Sequence, residues 1–267
     1  MSTNKEVRYP TKKGPPSIRS RKLHFFDDDN NDGARLPANL LAMCLEKNMG
    51  PIISGGICPD LSTTLVVPGF TATTGGTGDA TAYSTAGGLL ITCPSDDDFN
   101  MDFASVLSVT PASGKWYSMM ARIQVSDATG IGFRLGLGNA QALPFTTDYT
   151  DFIGISKAIA SANVLGRVRG NSGTAADSAT LGAIVAATEI EVGFCAYVHA
   201  TAPQGFFYYK TAAGEAPTLT AFTAAQKTAV SDILTTPPAC FWTIHATGVT
   251  LTTPTMTVST FLAGGDR

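Results

Sequence analysis

The chain has 267 residues, 44% hydrophobic and 15% charged, with 27 glycines, 15 prolines and a net charge of −3. That length and apolar content suit one large β domain or two smaller ones and argue against disorder along the whole chain. The longest apolar stretches, such as 192–198, fall far short of the roughly 20 residues a membrane helix needs, and the N-terminus lacks the apolar run of a secretory signal, so no membrane partner is expected.

The charge is unevenly spread. Residues 1–26 carry Lys5, Arg8, Lys12, Lys13, Arg19, Arg21 and Lys22 against Glu6 alone, a net +6 in front of a body of −9. Pro10 and the run Gly14-Pro15-Pro16 remove amide donors and favour extended backbone. Residues 1–35 are therefore predicted to be an extended basic N-terminal arm, closed by the acidic, turn-rich hinge Asp27-Asp28-Asp29-Asn30-Asn31-Asp32-Gly33. At about 3.3 Å per residue, a stretched arm outreaches the radius of the domain behind it. Three roles fit such a segment: an idle tail, a nucleic-acid contact, or docking on a neighbouring subunit. Tyr9, Phe25 and Phe26 are few and not interleaved with the basic residues, which speaks against nucleic acid. Ile18, Leu23, Phe25 and Phe26 offer apolar anchors that a solubilising tail would lack. Together with Arg8, Lys12, Lys13, Arg19, Arg21 and Lys22 they form the predicted partner-binding set, added to a neighbour as an extended segment.

Next, residues 36–47 place Leu41, Cys44 and Leu45 at helical spacing, with Pro37 near the start and Asn48 and Gly50 after the end. This predicts a short helix and linker over 36–50 and a β domain over 51–267. From Pro51 onward the helical period vanishes. Strand-like segments recur at 64–67, 88–93, 103–109, 116–125, 131–137, 152–156, 164–168, 189–198, 206–210, 241–246 and 256–262, separated by Gly, Pro, Asp and Thr turns. Such a series indicates an all-β antiparallel sandwich or barrel. Over 116–125 the apolar residues alternate only if the strand slips once, which predicts a bulge there. In 189–194 the alternation is clean, with Ile190, Val192 and Phe194 facing the core and Glu189 and Glu191 facing solvent. Gly132, Gly136 and Gly138 read as strand glycines that allow close packing. The run Phe206-Phe207-Tyr208-Tyr209 puts rings on both faces of one strand: one pair belongs to the core, the other to a glycan platform, an intersubunit contact or a loop-covered surface. Trp116 and Trp242 are expected in the core. Residues 220–227 suit a helical turn or two between strands.

Chemistry-bearing patterns are sparse. Five scattered cysteines, none at C-x-x-C spacing, and the separated His24, His199 and His245 draw no zinc template, so reduced and buried thiols are expected. Asp96-Asp97-Asp98 with Asp102 lacks the glycine and bidentate glutamate of a calcium loop and reads as a polar turn. No paired-carboxylate glycosidase pattern, nucleophile elbow or phosphate loop occurs. The sequence thus predicts a non-enzymatic protein with no catalytic residues, no metal and no cofactor.

The order of segments carries one resemblance. Lys115-Trp116-Tyr117, then Gly132-Phe133-Arg134-Leu135-Gly136-Leu137-Gly138, a loop over 145–151 into Phe152-Ile153-Gly154-Ile155, Glu191-Val192-Gly193-Phe194, Gly205-Phe206-Phe207-Tyr208-Tyr209-Lys210, residues 237–242 and Thr255-Met256-Thr257-Val258 follow one another. Over roughly residues 80–262 this resembles the concanavalin-like (laminin-G-like) jelly-roll β-sandwich of structural proteins of tailed bacteriophages. The resemblance implies a virion protein of the capsid decoration or cement type. Its partners would be the major capsid protein and neighbouring copies of itself, as a homo-oligomer such as a trimer, on the capsid surface after assembly in the host cytoplasm. The alternative it implies is a glycan-binding tail or fibre module engaging the host surface.

Overall fold

The computed structural model describes residues 49–54, 70–75, 81–84, 88–92, 99–105, 108–139, 149–211, 217–248 and 254–265. The arm, with Arg8, Lys12, Lys13, Ile18, Arg19, Arg21, Lys22, Leu23, Phe25 and Phe26, lies outside these residues, as do the helix expected at 36–47 and the strand expected at 64–67.

The described chain forms strands β1 (Met49–Ser54), β2 (Phe70–Gly75), β3 (Thr81–Ser84), β4 (Gly88–Thr92), β5 (Phe99–Ser105), β6 (Lys115–Val125), β7 (Ile131–Asn139), β8 (Phe152–Lys157), β9 (Asn163–Arg169), β10 (Ala176–Ala183), β11 (Ile190–Val198), β12 (Gln204–Lys210) and β13 (Thr218–Ala221). Helix α1 (Ala224–Ile233) and strands β14 (Cys240–Gly248) and β15 (Thr255–Gly265) follow. One sheet has the order β13-β12-β11-β6-β15-β4-β3, with β1 also on β15; the other runs β10-β9-β8-β7-β14-β5-β2. Every pairing is antiparallel. The two sheets stack as an all-β jelly-roll sandwich.

Period-two patterning builds the core between the sheets. In β6 the inward residues are Tyr117, Met119, Ala121, Ile123 and Val125, an unbroken alternation. The slip expected in β6 is therefore absent there and sits in its neighbour: β15 turns Met256 and Val258 inward before Ser259 and Phe261 and Ala263 after it, with the register shift between Val258 and Thr260. A bulge adds one residue and so changes which parity faces the core. Opposite β6 and β11 lie Phe133, Leu135 and Leu137 of β7, Ile153 and Ile155 of β8, and Trp242 and Ile244 of β14. Each such large side chain taken fully out of water contributes about 1.5–3 kcal/mol.

The four consecutive aromatics divide as a strand demands. Phe207 and Tyr209 enter the core, where Gly166 and Gly182 leave space for them: a Cβ on either glycine would stand 2.2 Å and 2.1 Å from those rings. Tyr208 is buried on the opposite face and Phe206 is half-buried there. Trp242 is in the core and stacks on Phe194 at 6.3 Å. Trp116 is not; it is half-buried on the outer face because its parity is opposite to that of Tyr117. The helical turn expected at 220–227 is a strand end followed by α1, which starts and ends later than the composition suggested.

A candidate anion pocket on the outer face of the seven-stranded sheet

Glycines flatten the outer face of this sheet. Gly136 and Gly154 face one another across β7 and β8; a Cβ on Gly154 would lie 2.2 Å from the Leu135 carbonyl oxygen, and one on Gly136 would lie 2.3 Å from that of Ile153. Beside them, a Cβ on Gly138 would meet the rings of Tyr149 and Phe152 at 3.0 Å and 3.1 Å. These two rings are stacked with centroids 5.2 Å apart and planes inclined by 15°. The close packing expected at the strand glycines is the approach of this aromatic pair at Gly138, of the β8 backbone at Gly136, and of Ile159 and Thr247 at Gly132.

A polar row crosses the sheet next to these rings. Asp102 of β5, His245 of β14, Arg134 of β7 and Ser156 of β8 are successive cross-strand neighbours. The Tyr149 hydroxyl donates to Asp102 Oδ1 at 3.0 Å, the Tyr149 ring meets His245 edge-on at 6.3 Å, and the Arg134 guanidinium lies 6.0 Å from the ring centre. Burial pushes the Asp102 carboxyl up to about 6, against the lowering effects of the Tyr149 hydrogen bond and the Arg134 charge. Burial also raises Tyr149 well above its ordinary value. His245 is driven down to about 3 by burial and by Arg134, so it is neutral at pH 7.

A pocket of about 200 Å³ opens where this row meets the ends of β8 and β9. Arg134, Ser156, Lys157, Ile159, Arg167, His245 and Thr247 line it, together with Phe133 and Ala158. The Lys157 ammonium donates to the backbone oxygens of Ile131 and, at 3.2 Å, Ala158. Burial lowers this lysine to about 8, and Asp127 opposes the shift, so Lys157 is charged at neutral pH. Arg167 forms a two-bonded ion pair with Asp177, at 2.6 Å and 2.8 Å. Ile159 and Thr247 of this lining close over Gly132, where a Cβ would stand 3.0 Å from both. The described lining carries three cationic side chains and no carboxylate.

The outer face of the eight-stranded sheet differs. Met120, Cys195, Tyr208 and Leu262 are buried there, so its centre is not a solvent face. Glu191, expected in solvent, is buried and ion-paired with Arg122, whose Nε donates to Oε1 at 2.7 Å, while the Tyr208 hydroxyl donates to Oε2 at 3.2 Å. Glu189 is exposed as expected and accepts from Ser259 at 2.8 Å. Toward one end, Trp116, Tyr197 and His199 form a half-buried stack with centroid separations of 4.9 Å and 5.6 Å.

Asp96, Asp97 and Asp98 lie outside the described residues, whereas Asp102, grouped with them in the sequence, belongs to β5 and serves Tyr149. Among the described residues no cluster of His, Cys, Asp and Glu is arranged for a metal ion, and no helix is long and apolar enough to cross a membrane. Cys195 and Cys240 are buried free thiols, as expected, and burial pushes Cys240 up to about 12; Cys44, Cys58 and Cys93 lie outside the described residues. Sequence reasoning missed the pocket because its residues come from four strands. The available signal was Arg134 alternating with Gly132, Gly136 and Gly138, which puts one cation on a face otherwise stripped of side chains.

No protein-family model and no curated protein matches the sequence. Solved structures do. The chain is similar to peanut lectin bound to a nine-residue peptide, with 10% identity and a TM-score of 0.53 over 76% of this chain and 94% of the other. It is also similar to the lectin UEA-II complexed with galactose, with 10% identity and a TM-score of 0.52 over 81% and 98%. A protein of unknown function from Shewanella oneidensis MR-1 gives 10% identity and a TM-score of 0.54 over 88% and 95%. The fold is a lectin-type, concanavalin-like jelly roll. At such identities the likeness concerns the fold, because one sandwich hosts many unrelated sites. In this jelly roll the middle of the seven-stranded sheet is covered by Tyr149 and Phe152, and the open space lies to one side, over β7, β8, β9 and β14.

Proposed function

We propose that the protein is a non-enzymatic structural component of a virus particle, a capsid decoration (cement) subunit that docks on the major capsid protein through its basic arm and stabilises the assembled shell. The supporting observation is the division of the chain into a +6 segment, rich in proline and carrying apolar anchors, and a β-sandwich whose described core is closed by residues 70–263. Ordering an extended arm on a partner costs several kcal/mol and is offset only by many contacts, which Ile18, Leu23, Phe25, Phe26 and the six basic residues beside them would supply. Neighbouring copies, arranged as a closed trimer, would cover the sheet-edge strands β2, β3, β10 and β13. Deleting residues 2–26 should leave the sandwich folded and abolish rebinding to particles stripped of the protein. Unchanged occupancy on those particles would refute the proposal.

A second reading, recognition of a host-surface glycan, draws on the likeness to a lectin solved with galactose and on the polar pocket described above. Electron microscopy of particles separates the two: decoration places the subunit on the shell, glycan recognition places it at a tail or fibre tip.

A further inference from the structure

We propose that the pocket between β7, β8, β9 and β14 binds a carboxylate-bearing sugar residue, a uronic-acid type of ligand, through Arg134, Lys157 and Arg167. The inference does not rest on capsid docking, which depends on the arm, and the two can fail independently.

Charge selects the anion. Three cationic residues from three adjacent strands border one space whose described lining contains no carboxylate, while Asp177, outside that lining, shares the Arg167 guanidinium. Arg167 is oriented by Asp177, and Lys157 is held by two backbone oxygens, so both head groups are placed before a ligand arrives. Such preorganisation removes part of the entropic cost of binding. Asp127, itself turned toward Thr129 and Gly130, is the acid whose charge acts on Lys157.

Size and lining select the sugar ring. About 200 Å³ is below the roughly 300–1,000 Å³ of sites for drug-sized ligands, which limits the occupant to a single ring or smaller. Ser156 and Thr247 bring hydroxyl groups suited to ring hydroxyls, and Ile159 provides an apolar wall. A bare inorganic anion would use the cations and leave these other groups idle.

Titration calorimetry of the full chain with glucuronate, glucose and inorganic sulfate tests the proposal. Glucuronate should bind, and glucose, which lacks the carboxylate, should bind at least about tenfold more weakly. Sulfate should also bind more weakly than glucuronate. Because Lys157 is buried and its loss can disturb folding, the primary variant is Arg167→Gln at the exposed pair with Asp177, checked for an unchanged melting temperature. It should weaken glucuronate by about tenfold while leaving the small affinity for glucose unaltered. The proposal is overturned by absence of glucuronate binding, by equal affinity for glucose, by sulfate binding as tightly as glucuronate, or by Arg167→Gln binding like the parent.

Discussion

Asp102 and His245, paired across β5 and β14 under Tyr149, have their ordinary pKa values displaced in opposite directions by the same burial. Between about pH 4 and 6 the folded chain keeps a proton on Asp102 that the unfolded chain releases. Over the same range it lacks one on His245 that the unfolded chain holds. The two differences cancel, so this pair contributes little slope to stability against pH. Asp102→Asn removes one half of the balance. Asparagine can still accept from Tyr149, and the remaining histidine, depressed in the folded state, makes stability rise with pH. The expected slope is about 1.4 kcal/mol per unit between pH 4 and 6. Above pH 6, where the parent carries a buried carboxylate, the variant should be the more stable by on the order of 2–3 kcal/mol, and below pH 4 the two should coincide. Urea unfolding at pH 4, 5, 6 and 7.5 checks this; parallel profiles for parent and variant would show that Arg134 fully compensates the charge.

Helix α1 shows how one polar side chain can tie an element to the sandwich. Thr223 caps it, accepting from the Gln226 amide at 3.2 Å, while Gln226 Oε1 accepts from the Thr223 amide at 2.9 Å. The Gln226 amide group then reaches the carbonyl oxygens of Gly166 at 3.3 Å and Ala176 at 3.4 Å. Thr223→Ala removes the cap alone and should cost about 1 kcal/mol. Gln226→Ala also leaves buried carbonyls on β9 and the start of β10 without their donor and should cost about 2–3 kcal/mol. Equal costs would mean that the sheet contacts contribute nothing. In the seven-stranded sheet, Gly154→Ala should destabilise by about 2 kcal/mol, because the added methyl meets backbone that cannot rotate away. Gly114→Ala serves as the comparison. Its Cβ would meet nothing closer than 3.9 Å, and its φ of +83° should cost only about 1 kcal/mol. Denaturant midpoints at constant m-value rank the two.

For the whole molecule, the described core runs from Phe70 to Ala263 and is continuous across both sheets. A chain lacking residues 2–26 should therefore melt within about 3 °C of the parent, since at this size about 1 kcal/mol corresponds to 2–4 °C. A larger fall would show that the arm contributes to the sandwich itself and would remove the reason for assigning it to a partner. With Cys195 and Cys240 buried, reductant should not lower the melting temperature either.

What the sequence determined by itself is what period and composition encode locally: a basic N-terminal segment in front of an acidic remainder, an all-β fold, and the central strands. Segments such as 116–125, 131–137, 152–156 and 189–198 are strands because alternating or continuous apolar residues are buried on both sides by neighbouring strands and the opposing sheet. The strands that escaped the reading were β1, β2, β3, β10 and β13, and four of these are the outermost strands of the two sheets. An edge strand has one neighbour, and β10 and β13 are largely exposed, so no apolar period marks them. Tertiary structure alone decided the rest. The outer face of the eight-stranded sheet is buried at its centre, which turned Glu191 from a solvated residue into the partner of Arg122 and Tyr208. Arg134, Lys157, Arg167 and His245 reach one pocket only because antiparallel pairing sets β9, β8, β7 and β14 side by side, and a register between strands is a non-local property that no window of sequence contains.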